Sequence, residues 1–218
     1  MRLSVRAGVT SLAAVAALAA ALLAIGGWRA AAPRASALPY FADSTLTPLF
    51  TADTARLHRV GRFSLVDQRG RVVTERALDG RVTVATFFYA SCRDLCPRLE
   101  SRLAGVRAAF RDDPRVQVVS ITVAPEHDTA PVLAAYAAAN HIAAPGWLLL
   151  TGSRAETDRV AHDSFFATST ILRASTATHG ETIWLLDSSR RIRGLYNGTM
   201  PLDTKRLIED IATLAQGR

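Results

Sequence analysis

Residues 82–89 run Val-Thr-Val-Ala-Thr-Phe-Phe-Tyr with no alternation toward a polar face, which is the pattern of a strand covered on both sides. They are expected to form the middle of a sheet. Residues 116–123 repeat the pattern, and 147–151 give a third apolar strand. Helical periods fill the intervals. Pro97 suits a first helical turn, and Leu99, Leu103, Val106 and Phe110 follow at three- and four-residue steps before Asp112, Asp113 and Pro114 stop the helix. Thr129 is expected to cap a helix over 132–139. Ser153, with Glu156 three residues on as in a capping box, opens another helix to about residue 166. Short β-type runs around Gly70 (63–67 and 71–74) predict a hairpin, and so do 182–187 and 192–196, after which 202–214 reads as a last helix.

Strands alternating with helices predict an α/β domain whose sheet is flanked by helices, with an N-terminal β-hairpin and an antiparallel edge. That order of elements fits a thioredoxin-like fold. Ahead of it, Arg2 and Arg6 lead into an uncharged run over 9–26, so residues 1–37 read as a signal peptide or a membrane anchor. The run exceeds an ordinary signal core, which favours retention, while Ala35-Ser36-Ala37 offers a cleavage site. Either outcome places the rest of the chain outside the cytoplasm, on the periplasmic or extracytoplasmic side of a membrane. Residues 38–59, with Pro39 and Pro48 and no sustained period, read as a linker or a packed arm, and 60–218 as the domain.

Charge narrows the partners. Of 26 Lys+Arg, four lie in the first 37 residues, which hold no acid, so the remainder carries 22 against 19 Asp+Glu. So small a surplus argues against nucleic acid. The cysteine count says more, because an exported domain of this size has room for several disulfides, yet Cys92 and Cys96 are its only cysteines. Both thiols belong to one local site.

That site lies where the apolar run 82–89 ends and a helix begins, beyond the carboxyl end of a strand, where α/β sheets hold ligands. Unpaired N–H groups and the helix dipole there favour a thiolate. Residues four apart on a helix face have Cβ atoms roughly 5–6 Å apart, whereas a disulfide wants roughly 3.5–4.5 Å. The pair can close into a redox-active disulfide, but its spacing also suits a soft ion of low coordination number, Cu(I) above all. Zinc normally asks for four ligands. A third ligand would come from His58, His127, His141, His162 or His179. His179, in the loop before the strand that starts near Glu181, could reach the sulfurs, although a lone loop histidine is more often solvated or capping. His127 and Asp128 are read as capping the helix after Thr129, and Asp94 as a solvated acid.

Phe87-Phe-Tyr-Ala-Ser-Cys92-Arg-Asp-Leu-Cys96-Pro97, Ile121-Thr-Val-Ala-Pro-Glu-His-Asp-Thr129, Leu149-Leu-Thr-Gly152 and Thr178-His-Gly-Glu-Thr-Ile-Trp-Leu-Leu-Asp187 resemble, in order and spacing, the signature segments of the Sco/SenC family. The resemblance spans about residues 60–215. It implies a membrane-anchored, thioredoxin-like copper protein with Cys92, Cys96 and His179 as ligands to Cu(I) or Cu(II). It also implies a role in assembling the copper A centre of cytochrome c oxidase. Its expected partners are the copper-bearing oxidase subunit or other copper proteins, the membrane through the N-terminal segment, and a thiol reductant. Dithiol reduction of a partner by Cys92 and Cys96 is a second role argued for that family. Two positions depart from its pattern: Arg93 stands where Pro is common, and Ala124 where Asp is. Arg93 beside a thiolate favours the ionised form, and Ala124 removes a charge near the site.

Overall fold

The run beginning at Val82 forms β5, Val82–Phe88, and all seven of its residues are buried. It pairs in parallel with β6 (Val116–Thr122), which pairs in parallel with β7 (Trp147–Thr151). The computed structural model describes residues 38–93, 95–142, 146–167 and 181–216. The leader, Asp94 and His179 lie outside them. Two hairpins complete the sheet. β3 (Ser64–Asp67) and β4 (Val72–Thr74) add one edge antiparallel to β7, and β8 (Thr182–Leu186) and β9 (Ile192–Asn197) add the other antiparallel to β5. The order is β4-β3-β7-β6-β5-β8-β9, which puts β6 at the centre and β5 next to it, one place from the position its sequence suggested. This is the thioredoxin-like α/β architecture expected from the sequence.

Helices cover both faces. On one face α1 (Leu95–Ala109), α2 (Ala130–Ala139) and α4 (Pro201–Gln216) bury Leu99, Leu103, Val106, Leu133, Leu207 and Ile211 against Val84, Val118 and Leu185. On the other, Phe63, Leu65, Val160 and Phe165 meet Phe87, Ile121 and Trp184. There Phe87, Phe165 and Trp184 stack edge to face with centroids 5.3–5.7 Å apart, the arrangement that aromatic quadrupoles favour. Polar side chains inside the sheet are paired. Ser120 Oγ accepts from Thr86 Oγ1 (3.1 Å) and Trp147 Nε1 (3.0 Å). The Gln68 side chain extends the β3–β7 ladder by donating to Trp147 O and accepting from Leu149 N.

Three local expectations change. Thr129 has extended N-cap geometry, but its hydroxyl makes no cap bond, and α2 starts at Ala130 rather than 132. Pro131 occupies the first turn and removes one of the two N–H groups that such a cap can bind. Ser153 does cap, accepting from Glu156 N at 3.2 Å. Glu156 does not close the box, because its carboxylate accepts instead from Ser64 N of β3 (3.0 Å) and pairs with Arg159. The helix after Ser153 is α-helical only over Arg154–Arg159 (α3) and widens into a π-turn, Val160–Ser164, where Val160, Ala161 and Phe165 are drawn into the core.

Residues 38–59 pack on the sheet. Besides a small sheet of β1 (Tyr40–Phe41) and β2 (Pro48–Leu49), they give carbonyls to the buried Arg193 and the half-buried Arg191. Arg193 Nη2 and Nε donate to Leu38 O and Pro39 O, Arg193 stacks on Tyr40 with 3.9 Å between guanidinium and ring centroid, and Arg191 donates to Thr54 O. His58 Nε2 lies 2.9 Å from Ser164 O, so this histidine is structural. Among the described residues no helix is long and apolar enough to cross a membrane.

Candidate metal and redox site

The end of β5 is tied to the end of β6 before the chain reaches the first cysteine. Val123 N donates to Phe88 O (2.8 Å), and Asp128 reaches back from the loop after β6. Asp128 is 2% exposed, and its Oδ2 accepts from Ala90 N (3.0 Å) and Thr122 Oγ1 (2.5 Å). Asp128 therefore braces the cysteine loop, correcting the capping role that sequence suggested. No helix N–H bonds to it among the described residues; its donors are a loop amide and a strand hydroxyl. Ala124 sits in the same loop, with its N–H on Thr122 Oγ1 (2.9 Å) and its carbonyl accepting from His127 and Asp128.

Cys92 N closes a turn onto Tyr89 O (3.1 Å), and α1 then begins at Leu95, which puts Cys96 in its first turn. The structure brings the two cysteines together as free thiols, Cys92 half-buried and Cys96 5% exposed. The backbone N–H of Cys96 donates to Cys92 Sγ at 3.2 Å. One sulfur thus accepts from a helix N-terminal amide. The other sits deeper: burial first, then the neighbouring Cys92 side chain, push the Cys96 thiol well above the ordinary thiol range. Burial also pushes up the Tyr89 hydroxyl, with Cys92 adding to the effect.

One feature of the site has no counterpart in the sequence reading. Glu100, one turn beyond Cys96, is 9% exposed. Its Oε1 accepts from the Tyr136 hydroxyl of α2, and its Oε2 has no hydrogen-bond partner among the described residues. Burial raises Glu100 from the usual carboxylate value, while the Tyr136 bond works the other way. The signal was present in sequence, since a glutamate four residues after Cys96 and next to Leu99 falls on the stripe that the helix period buries.

Among the described residues no three of His, Cys, Asp and Glu are grouped to hold a metal ion. His127 sits in the β6–α2 loop, His141 follows α2, and His162, in the π-turn, is exposed and lies against Asp163. The two cysteines lie together, and His179, expected from the sequence as a third member of the site, lies outside the described residues.

A family model described as SCO1/SenC matches residues 51–216. A Bacillus subtilis protein named SCO1 protein homolog is 25% identical over 160 residues, covering 71% of this chain and 81% of that protein. The mouse mitochondrial SCO2 homolog is 39% identical over 107 residues, 48% of this chain and 40% of that longer protein. Among solved structures, Bradyrhizobium japonicum ScoI with copper bound superimposes with a TM-score of 0.57 at 26% identity, covering 72% of this chain and 99% of that one.

Proposed function

The chain belongs to the SCO1/SenC family, and from that premise we propose that it is a copper chaperone. It binds copper through Cys92, Cys96 and His179 and delivers it to the copper A centre of cytochrome c oxidase during assembly. The observation that carries this reading is the Cys96 N–H to Cys92 Sγ bond at 3.2 Å, which holds the Cys92 sulfur against the first turn of the helix that carries Cys96. Copper is the cargo. Two thiolates suit Cu(I), and an imidazole completes a low-coordinate set that another protein's sulfurs can displace one ligand at a time. Copper bound to Bradyrhizobium ScoI supports the choice of metal. By the same reading the N-terminal segment holds the domain on the extracytoplasmic side of the membrane.

The burial difference between the two cysteines favours a second reading, a thiol-disulfide oxidoreductase. The accessible Cys92 thiolate attacks a partner disulfide, forming a mixed disulfide and releasing one partner thiolate. Cys96 then passes its proton to the released partner thiolate and attacks Cys92 Sγ, releasing the second partner sulfur as a thiolate and leaving a Cys92–Cys96 disulfide for a thiol reductant to reopen.

The two readings separate in one experiment. Reduced protein loaded with Cu(I) and passed through a desalting column is expected to retain about one copper per chain. Cys92→Ser, Cys96→Ser and His179→Ala each lose most of it, and none of the three supports oxidase assembly in cells. Full copper retention by the cysteine variants contradicts the chaperone reading. Oxidase assembly that survives His179→Ala but not the cysteine variants assigns the function to thiol exchange.

A further inference from the structure

We propose that the arginine-lined cavity formed by residues 59–62, the end of β4 and the β8–β9 turn is a binding site for a phosphate-bearing anion. The cavity is open and about 870 Å³ in volume, and its lining includes Arg59, Arg62, Arg76 and Arg190, with Glu75 the one acid. It is remote from the cysteines. β8 runs antiparallel to β5, with Thr83 opposite Leu186, so Arg190 on the following turn lies beside the start of β5, whereas the cysteine loop follows its end.

What marks the cavity is the state of its arginines. Across the fold most guanidiniums are engaged: Arg69 and Arg71 on Asp67, Arg115 on Asp113, Arg154 on Glu126, Arg159 on Glu156. Arg190 follows that rule, with Asp79 at 3.0 Å and Val60 O at 3.3 Å, and so supplies a fixed wall. Arg59, Arg62 and Arg76 do not. Among the described residues none of the three guanidiniums has a hydrogen bond or a contact ion pair, Arg76 acting on Glu75 only through its field, and all three line the same concavity. The single carboxylate there is partly engaged, because Glu75 Oε2 accepts from Phe63 N at 3.4 Å.

Like charges gathered around one hollow repel, and an anion placed among them relieves that repulsion. Planar guanidiniums with parallel N–H groups match the oxygens of phosphate, and a cavity of this size has room for a diphosphate or a lipid headgroup. The chemistry is the same for a soluble phosphate compound and for an anionic phospholipid headgroup.

Isothermal titration calorimetry on the full chain in zwitterionic micelles distinguishes these sources, using pyrophosphate, dihexanoylphosphatidylglycerol and, as a neutral reference, dihexanoylphosphatidylcholine. Saturable binding of one anion per chain is expected. Arg59→Gln/Arg62→Gln/Arg76→Gln weakens it by about tenfold or more, since charge-assisted bonds are lost. Copper retention and melting temperature stay unchanged in that variant. Arg56→Gln/Arg102→Gln/Lys205→Gln removes the same charge outside the cavity and leaves binding intact. Binding of phosphatidylglycerol alone assigns the site to a lipid headgroup, and binding of pyrophosphate assigns it to soluble phosphate compounds. No saturable binding of either anion, unchanged affinity in the cavity variant, or equal weakening in both variants overturns the proposal.

Discussion

Asp128→Ala is expected to destabilise the domain by roughly 2–4 kcal/mol and to weaken copper binding by roughly ten- to hundredfold. The carboxylate is 2% exposed and receives both the Ala90 N–H and the Thr122 hydroxyl. Alanine leaves two donors without their acceptor in a spot shut off from bulk solvent. Ala90 stands two residues before Cys92, so the released loop is the one that sets the sulfur position. Thr122 also accepts from Ala124 N, which carries the disturbance into the β6–α2 loop. Asp128→Asn keeps one acceptor oxygen and is expected to fall between the two proteins. Urea melts and competition with a Cu(I) chelator check both effects. Unchanged copper affinity in a folded Asp128→Ala protein would show that the brace does not act on the site.

Alkylation of the reduced, metal-free protein is expected to modify Cys92 about tenfold or more faster than Cys96 near pH 8, because burial both shields the Cys96 sulfur and disfavours its thiolate. Cys96 is 5% exposed and its thiol is pushed up chiefly by burial, whereas Cys92 is half-buried at the loop surface. The same shift bears on stability. The folded protein keeps the Cys96 proton at a pH where the unfolded chain, with an ordinary value near 9.0, releases it. The unfolded state then binds fewer protons, so stability is intact below about pH 9 and declines as pH rises above it. Peptide mapping of timed iodoacetamide reactions measures the rates, and equal rates at the two cysteines would remove the attacking and resolving assignment. Cys96→Ala should flatten the alkaline decline, which melts between pH 8 and 10 can follow.

How far the sequence could be read depended on whether local pattern or tertiary contact decides each piece. β5 and β6 were legible because strands covered on both faces carry continuous apolar runs, and α1 because Leu99, Leu103 and Val106 mark its buried stripe. The terminal hairpin was legible from its turn, though not the register shift at Leu185/Leu186, which depends on how β9 meets β8. The helix after Ser153 takes a form that its local sequence does not show. Nothing local signals a π-turn, and what holds it is distant: Trp184 Nε1 donates to Phe165 O at 3.1 Å, and Phe165 packs on Phe87.

At the site the cysteines and their position at a helix start were plain from composition and spacing. The roles of Asp128 and Glu100 were not, because each depends on a partner from another element. Asp128 gains its meaning from Ala90, 38 residues away in sequence, and Glu100 from Tyr136, 36 residues away. His179 rests on resemblance to the family.

X-ray absorption at the copper edge, on protein loaded with one equivalent of Cu(I), tests the central claim most directly. Two sulfur scatterers and one nitrogen with the outer-shell pattern of an imidazole are expected, and the imidazole signal should vanish in His179→Ala while the sulfurs remain. A first shell without sulfur, or an imidazole signal that persists in His179→Ala, would contradict the assignment of Cys92, Cys96 and His179 as the copper ligands.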